Sequence, residues 1–113
     1  MRRGTVVLTP FPFTDLSGAK VRPAVVVSRS DRPGDDVILA FISSVVPARP
    51  LPTDLVVDPS HPDFRETRLK VSSIVKADKL ATVQRRIILG EPGQLSATLL
   101  RELDQRLRHA FNS

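Results

Sequence analysis

The sequence predicts a small, mainly β (α+β) domain: five to seven short strands curled into a barrel, with one helix at the C-terminus. Three observations predict it. Short β-branched and apolar runs punctuated by Pro, Gly and Asp recur from Gly4 to Leu89. The apolar period then changes from strand-like to helical after Gly93. The length of 113 residues suits one domain, expected to span 1–113, with no internal repeat and no low-complexity tract.

Gly4 to Thr9 reads as the first strand. It is closed by Pro10-Phe11-Pro12-Phe13, read as an extended loop because each proline removes a ladder donor, and then by Asp15-Leu16-Ser17-Gly18. Arg22 to Ser28, with Val25-Val26-Val27 inside it, reads as a strand buried on both faces. After a turn at Asp31 to Gly34, Val37 to Ile42 is the third run. The proline-rich stretch from Val45 to Pro52 is loop, Leu55 to Val57 a short strand, and Asp58 to Asp63 irregular. Leu69 to Val75 alternates weakly and Lys79 to Leu89 reads as a longer strand carrying Arg85 and Arg86, before Gly90-Glu91-Pro92-Gly93 breaks the chain. Ser96 is a good N-cap, with Leu95 and Leu100 spaced as a hydrophobic staple. Leu100, Leu103, Leu107 and Ala110-Phe111 then mark one face of a helix of about four turns.

Composition narrows the chemistry. Lys plus Arg number 17 against 12 Asp plus Glu, a net charge of +5, and Arg outnumbers Lys. A basic chain attracts phosphate by counterion release, and the planar guanidinium grips it with two hydrogen bonds. With five Phe, no Trp and no Tyr, nucleic-acid affinity would come mainly from charge rather than from stacking. The absence of cysteine removes disulfides and thiolate chemistry and agrees with a reducing, cytoplasmic setting. No stretch is long and apolar enough to be a signal peptide or a membrane span, so no membrane partner is expected. The two histidines, His61 and His109, have no ligand spacing between them, so neither a metal site nor any other cofactor is expected. Ser43 and Ser44 lack a nucleophile elbow, and His109 suits the negative end of the terminal helix.

The informative segment runs from Leu16 to Ser28. Arg22 stands at the mouth of an apolar strand, directly before Pro23, which keeps it extended. A long cation there is either half of a structural ion pair or a pre-positioned site residue, and the pattern alone leaves both open. Ile42-Ser43-Ser44 ends the third run with hydroxyls where polar groups emerge from the core.

Gly4-Thr5-Val6-Val7-Leu8, the stretch Pro10 to Lys20, Arg22-Pro23-Ala24-Val25-Val26-Val27-Ser28 and Ile38-Leu39-Ala40-Phe41-Ile42-Ser43-Ser44 together resemble the MazF/PemK toxins. Looser matches follow at Ser72 to Val75, Lys79 to Val83, and from Gly90 into the terminal helix. The resemblance implies an SH3-like barrel of the MazF/PemK/CcdB type. It also implies the toxin of a type II toxin–antitoxin system: a metal-independent, sequence-specific endoribonuclease acting on single-stranded RNA. In that chemistry the ribose 2′-hydroxyl attacks the neighbouring phosphate and leaves a 2′,3′-cyclic phosphate and a 5′-hydroxyl. The family's catalytic arginine falls on Arg22 and its hydroxyl residue on Ser43, with Ser44 beside it leaving that assignment open.

The division of labour is physically reasonable. RNA carries its own nucleophile, so the protein need only orient it, neutralise charge on the phosphoryl oxygens and move protons. Arginine is well suited to the second task and poorly to the third. Phe11, Phe13, Thr14 and Lys20 would border the RNA, the phenylalanines either stacking on bases or closing the barrel end. Arg85 and Arg86 either line the groove or form a solvated strand end. The resemblance further implies a homodimer and a cognate MazE-like antitoxin whose acidic, flexible tail covers the groove. Two alternatives share the barrel: a non-enzymatic, gyrase-binding toxin like the CcdB group, and an inactive RNA- or antitoxin-binding module.

Overall fold

In the computed structural model, described over residues 1–11 and 20–112, a six-stranded antiparallel sheet curls around one face of a C-terminal helix. The strands are β1 (Thr5–Phe11), β2 (Lys20–Val26), β3 (Asp36–Ser43), β4 (Asp54–Val57), β5 (Ser73–Gln84) and β6 (Gly90–Gln94), in the spatial order β4-β5-β3-β2-β1-β6. A one-turn helix, α1 (Phe64–Thr67), lies between β4 and β5, and α2 (Ala97–Phe111) closes the chain. The mainly β reading is correct, and so are the barrel-like curl and the terminal helix.

Strand alternation divides the apolar side chains between the two faces. Val6, Val25, Ala40 and Ile42 point to one side and meet Leu55, Val57, Val75 and Ala77 there, under Leu99 and Leu103 of α2. Val7, Ala24, Val26, Val37 and Leu39 point to the other, where Met1, Val83 and Ile88 pack on them. The Val25-Val26-Val27 run is thus buried on both faces over most of its length, as its composition implies: Val25 and Val26 are fully buried on opposite sides. On α2, Ser96 accepts a hydrogen bond from the Leu99 N–H at 3.1 Å as its N-cap, and Leu95 and Leu100 belong to the same core. The helix face differs from expectation at two positions. Leu99 is fully buried, whereas Phe111, at the last turn, is 73% exposed.

Several boundaries differ from the sequence-based expectation. Pro10 and Phe11 belong to β1, paired with Val21 and Lys20. The proline is accommodated because β6 pairing ends at Leu8, so beyond it β1 has a single neighbour. Gly90-Glu91-Pro92-Gly93, expected to be a break, is most of β6, an edge strand with a bulge between its Gly93↔Val6 and Gly90↔Leu8 pairs. Its Gly93 is required by close approach: a Cβ there would lie 2.4 Å from the Thr67 carbonyl oxygen. The two expected runs merge only in part: Ser73–Gln84 is the twelve-residue β5, residues 69–72 stay outside it as the α1–β5 connection, and Arg85–Ile87 turns away in a 3-10 helix. Within β5 the register against β3 jumps from Ala40↔Leu80 to Phe41↔Lys76, leaving Ala77, Asp78 and Lys79 as extra residues. Such a bulge bends its strand, and here it separates two stretches of β5 that both pair with β3, the first of which, around Val75, also pairs with β4 along its other edge. No helix among the described residues is long and apolar enough to cross a membrane.

Candidate functional site

Pro23 sets where the site opens. The β2–β3 ladder runs Val26↔Leu39, Val25↔Ala40, Ala24↔Phe41 and stops one residue short of Pro23, which has no N–H to extend it. Past that point the two strands continue as Arg22 on one side and Ser43-Ser44 on the other. A groove of about 590 Å³ opens there, lined by Arg22, Pro23, Ser43, Ser44 and residues of β5, β6 and the α1–β5 connection.

Arg22 is exposed and pairs through its backbone position with Thr9, which is buried. Among the described residues no carboxylate forms an ion pair with it. Other arginines differ: Arg3 is bound to Asp104, and Arg29 to Asp31 with two hydrogen bonds of 2.9 Å. The structural ion-pair reading of Arg22 therefore has no described partner behind it.

Ser43 ends β3, half-buried, and its Oγ accepts a hydrogen bond from the Val45 N–H at 3.1 Å. With that lone pair taken, the hydroxyl proton is left to donate into the groove. Ser44 is exposed and has no side-chain hydrogen bond among the described residues.

The groove's charge is one-sided. Arg22, Arg68, Lys70, Lys76 and Lys79 line it, and none of its described lining residues is Asp or Glu. Converging cations without counter-charges raise the local potential and concentrate polyanions. Sequence reasoning misses Arg68, Lys70, Lys76 and Lys79 as site residues. The bulge brings Lys76 and Lys79 to the groove, and the only hint of it in the sequence is the interruption of strand alternation around Asp78. Arg68 follows a helix too short to carry a periodic signal. Val21, Val45 and Val71, all more than half exposed, add an apolar margin.

The remaining sequence-predicted residues lie elsewhere. Lys20 is exposed at the tip of the β1–β2 ladder, opposite Phe11 and off the groove lining. Phe13 and Thr14 are outside the described residues, and so is the side chain of Phe11. Arg85 and Arg86 are exposed in the 3-10 turn, away from the groove, with Arg86 Nε donating to Gln84 Oε1 at 2.7 Å.

A second, shallower cleft of about 460 Å³ between α2 and β4 contains His61, Glu102, Arg106 and His109. His61 Nδ1 accepts from the Asp63 N–H at 3.0 Å, and Nε2 lies 3.8 Å from a Glu102 carboxylate oxygen. Arg106 Nε donates to the Asp54 carbonyl at 3.0 Å, so much of this cleft's polarity ties α2 to the sheet.

The fold and sequence find relatives. The chain resembles the Mycobacterium tuberculosis toxin MazF-mt6, at 22% identity over 96% of each chain with a TM-score of 0.75. It also resembles a mycobacterial endoribonuclease solved in complex with its cognate antitoxin, at 21% identity over 97% of this chain and 93% of that one, TM-score 0.73. A third similar structure is MazF from Deinococcus radiodurans, 23% identical over 100% of this chain and 97% of that one, TM-score 0.71. These likenesses establish the SH3-like barrel of the MazF type. No curated protein matches the sequence. The model of the PemK-like, MazF-like toxins of type II toxin–antitoxin systems matches residues 2–111, and the chain belongs to that family.

Proposed function

We propose that the protein is an endoribonuclease that cleaves single-stranded RNA in the groove between β2 and β3, without a metal ion. One observation carries the reading: Arg22 and the hydroxyls of Ser43 and Ser44 line one groove with four further cations and no described acid. Family membership and the similarity to a mycobacterial endoribonuclease support the same reaction class.

The reaction follows from what these side chains do best. The 2′-oxygen loses its proton and attacks the adjacent phosphorus, the P–O5′ bond breaks, and the departing 5′-oxygen takes up a proton. The products are a 2′,3′-cyclic phosphate and a 5′-hydroxyl. Arg22 donates to the non-bridging oxygens, where negative charge builds in the transition state. Ser43, its oxygen already accepting from Val45, donates its proton to the same phosphate. Ser44 takes a neighbouring oxygen. Lys20, Arg85 and Arg86, exposed beyond the groove, strengthen the attraction of RNA at a distance and weaken in salt. Phe11, Phe13 and Thr14 are assigned to RNA contact by the family resemblance alone.

The working form in this reading is a cytoplasmic homodimer held in check by an antitoxin with an acidic tail, for which the uncompensated positive groove is the complementary surface. Purified protein incubated with a long single-stranded RNA in EDTA should cut it and leave 5′-hydroxyl ends that kinase labels without prior phosphatase. Intact RNA across many sequences would favour the gyrase-binding or inactive-module alternatives.

A further inference from the structure

Arg68 holds a backbone conformation that its own side chain disfavours. It is the C-cap of α1 with φ 60°, ψ 15°, the single non-glycine residue at positive φ among those described. Glycine relieves that strain and is the usual occupant of such a helix end.

The surroundings hold Arg68 in place. Thr67, fully buried, donates from Oγ1 to the Phe64 carbonyl at 2.6 Å and accepts from the Leu69 N–H at 3.1 Å, bridging over Arg68 on both sides. Gly93 of β6 packs so closely on the Thr67 carbonyl that no Cβ fits between them. Thr67 is thus clamped while Arg68, next in the chain, stands exposed at the groove. Lys70, also exposed and lining the groove, comes two residues later on the same connection. Neither forms an ion pair with a described carboxylate. Residues held in sparsely populated backbone regions by an over-determined setting concentrate at ligand sites.

We infer that Arg68 and Lys70 form a second phosphate subsite, which takes a backbone phosphate flanking the one at Arg22 and Ser43. The inference rests on the RNA-cleaving reading and deepens it. The substrate must be an oligonucleotide long enough to fill both subsites, and Arg68–Lys70 act in binding and register, not in bond breaking.

Mixed-sequence 2′-O-methyl oligoribonucleotides test this directly, since their attacking oxygen is blocked and no cleavage sequence need be known. A dinucleotide carries one linkage and can fill one subsite; a hexanucleotide can fill both. Binding of each is measured by fluorescence anisotropy against salt for wild type and for Arg68→Gly/Lys70→Ser. Glycine suits the backbone at position 68, so the variant should melt no lower than wild type. The expected result is roughly tenfold weaker hexanucleotide binding and a salt slope reduced by about 0.7 for each phosphate no longer neutralised, with dinucleotide binding unchanged. Unchanged hexanucleotide affinity and slope, or an equal loss on both lengths, would overturn the subsite while leaving the RNA-cleaving reading standing. If wild type bound neither length and long RNA also stayed uncut, both would fall.

Discussion

Arg22 of β2 and Ser43 of β3 line the same groove, each just beyond the last pair of the ladder that joins their strands. The ladder pairs Ala24 with Phe41, and two further residues along each strand give Arg22 and Ser43, beyond the last pair and at the mouth of the groove. The fold supplies this juxtaposition through the sheet itself, on rigid strands rather than on loops, which suits a site that must hold a phosphate in one geometry. Replacing Ser43 with Ala should lower the cleavage rate by about 10²-fold, the usual cost of one donor to a developing oxyanion, while Ser43→Thr keeps most activity. Ser44→Ala, lacking the Val45 hydrogen bond that orients Ser43, should cost far less. Single-turnover rates on one RNA compare the three; equal losses at 43 and 44 would remove the distinction.

Gly93→Ala should destabilise the protein by about 2 kcal/mol, in the range for forcing an extra methyl into a packed interior. The new Cβ would meet main-chain atoms of Glu66 and Thr67 within 2.6 Å, and backbone cannot swing aside as a flexible side chain does. Urea unfolding measures the loss. A variant with wild-type stability would mean that β6 and α1 pack more loosely than the structure has them.

Leu103→Ala should cost about 3 kcal/mol, because the side chain is fully buried where α2 crosses the curled sheet. Phe111→Ala, at a 73% exposed position, should change stability by less than about 0.5 kcal/mol. Phe111 also shows what a helical pattern can and cannot tell. Its spacing puts it on the apolar face, but the spacing does not reveal that the sheet ends before the last turn.

The same limit explains which parts of the molecule are legible in the sequence. Val25 and Val26 announce a doubly buried strand, and Ser96 announces the start of α2, because burial and capping act through neighbouring residues. Arg22-Pro23 and Ser43 stand out in the sequence through their motif, and the fold brings them to one groove. Gly90-Glu91-Pro92-Gly93 misleads because an edge strand tolerates residues a central one excludes, and edge position depends on the whole sheet. Lys76, Lys79 and Arg68 are hidden for related reasons. A three-residue bulge and a clamped left-handed turn arise from β3 and β6, far away in sequence, and a lone Arg carries no local mark of positive φ.

Asp58 gives a pH dependence with a definite sign. The Ser60 hydroxyl, then the Ser60 N–H, and His61 more weakly, hold its carboxyl below the ordinary carboxylate value. The group's contribution is therefore present above about pH 4, the unfolded value, and is lost as the pH falls through the lower folded value. Between about pH 5 and about pH 3, in the usual carboxylate range, wild type should lose more stability than Asp58→Asn, and above that window it should be the more stable of the two. Parallel acid-titration curves for the two proteins would show that this turn contributes nothing.

The most direct test of the central claim is the cleavage rate of Arg22→Ala in EDTA, measured on any RNA that the wild type cuts, with circular dichroism confirming that the variant is folded. Arg22 is exposed and has no described ion-pair partner, so its removal should leave the fold intact. The account predicts a loss of at least about 10²-fold, the scale for removing a charge-stabilising donor, with Arg22→Lys recovering only part of it because an ammonium lacks the two-pronged grip. A folded Arg22→Ala that cuts at the wild-type rate would contradict it.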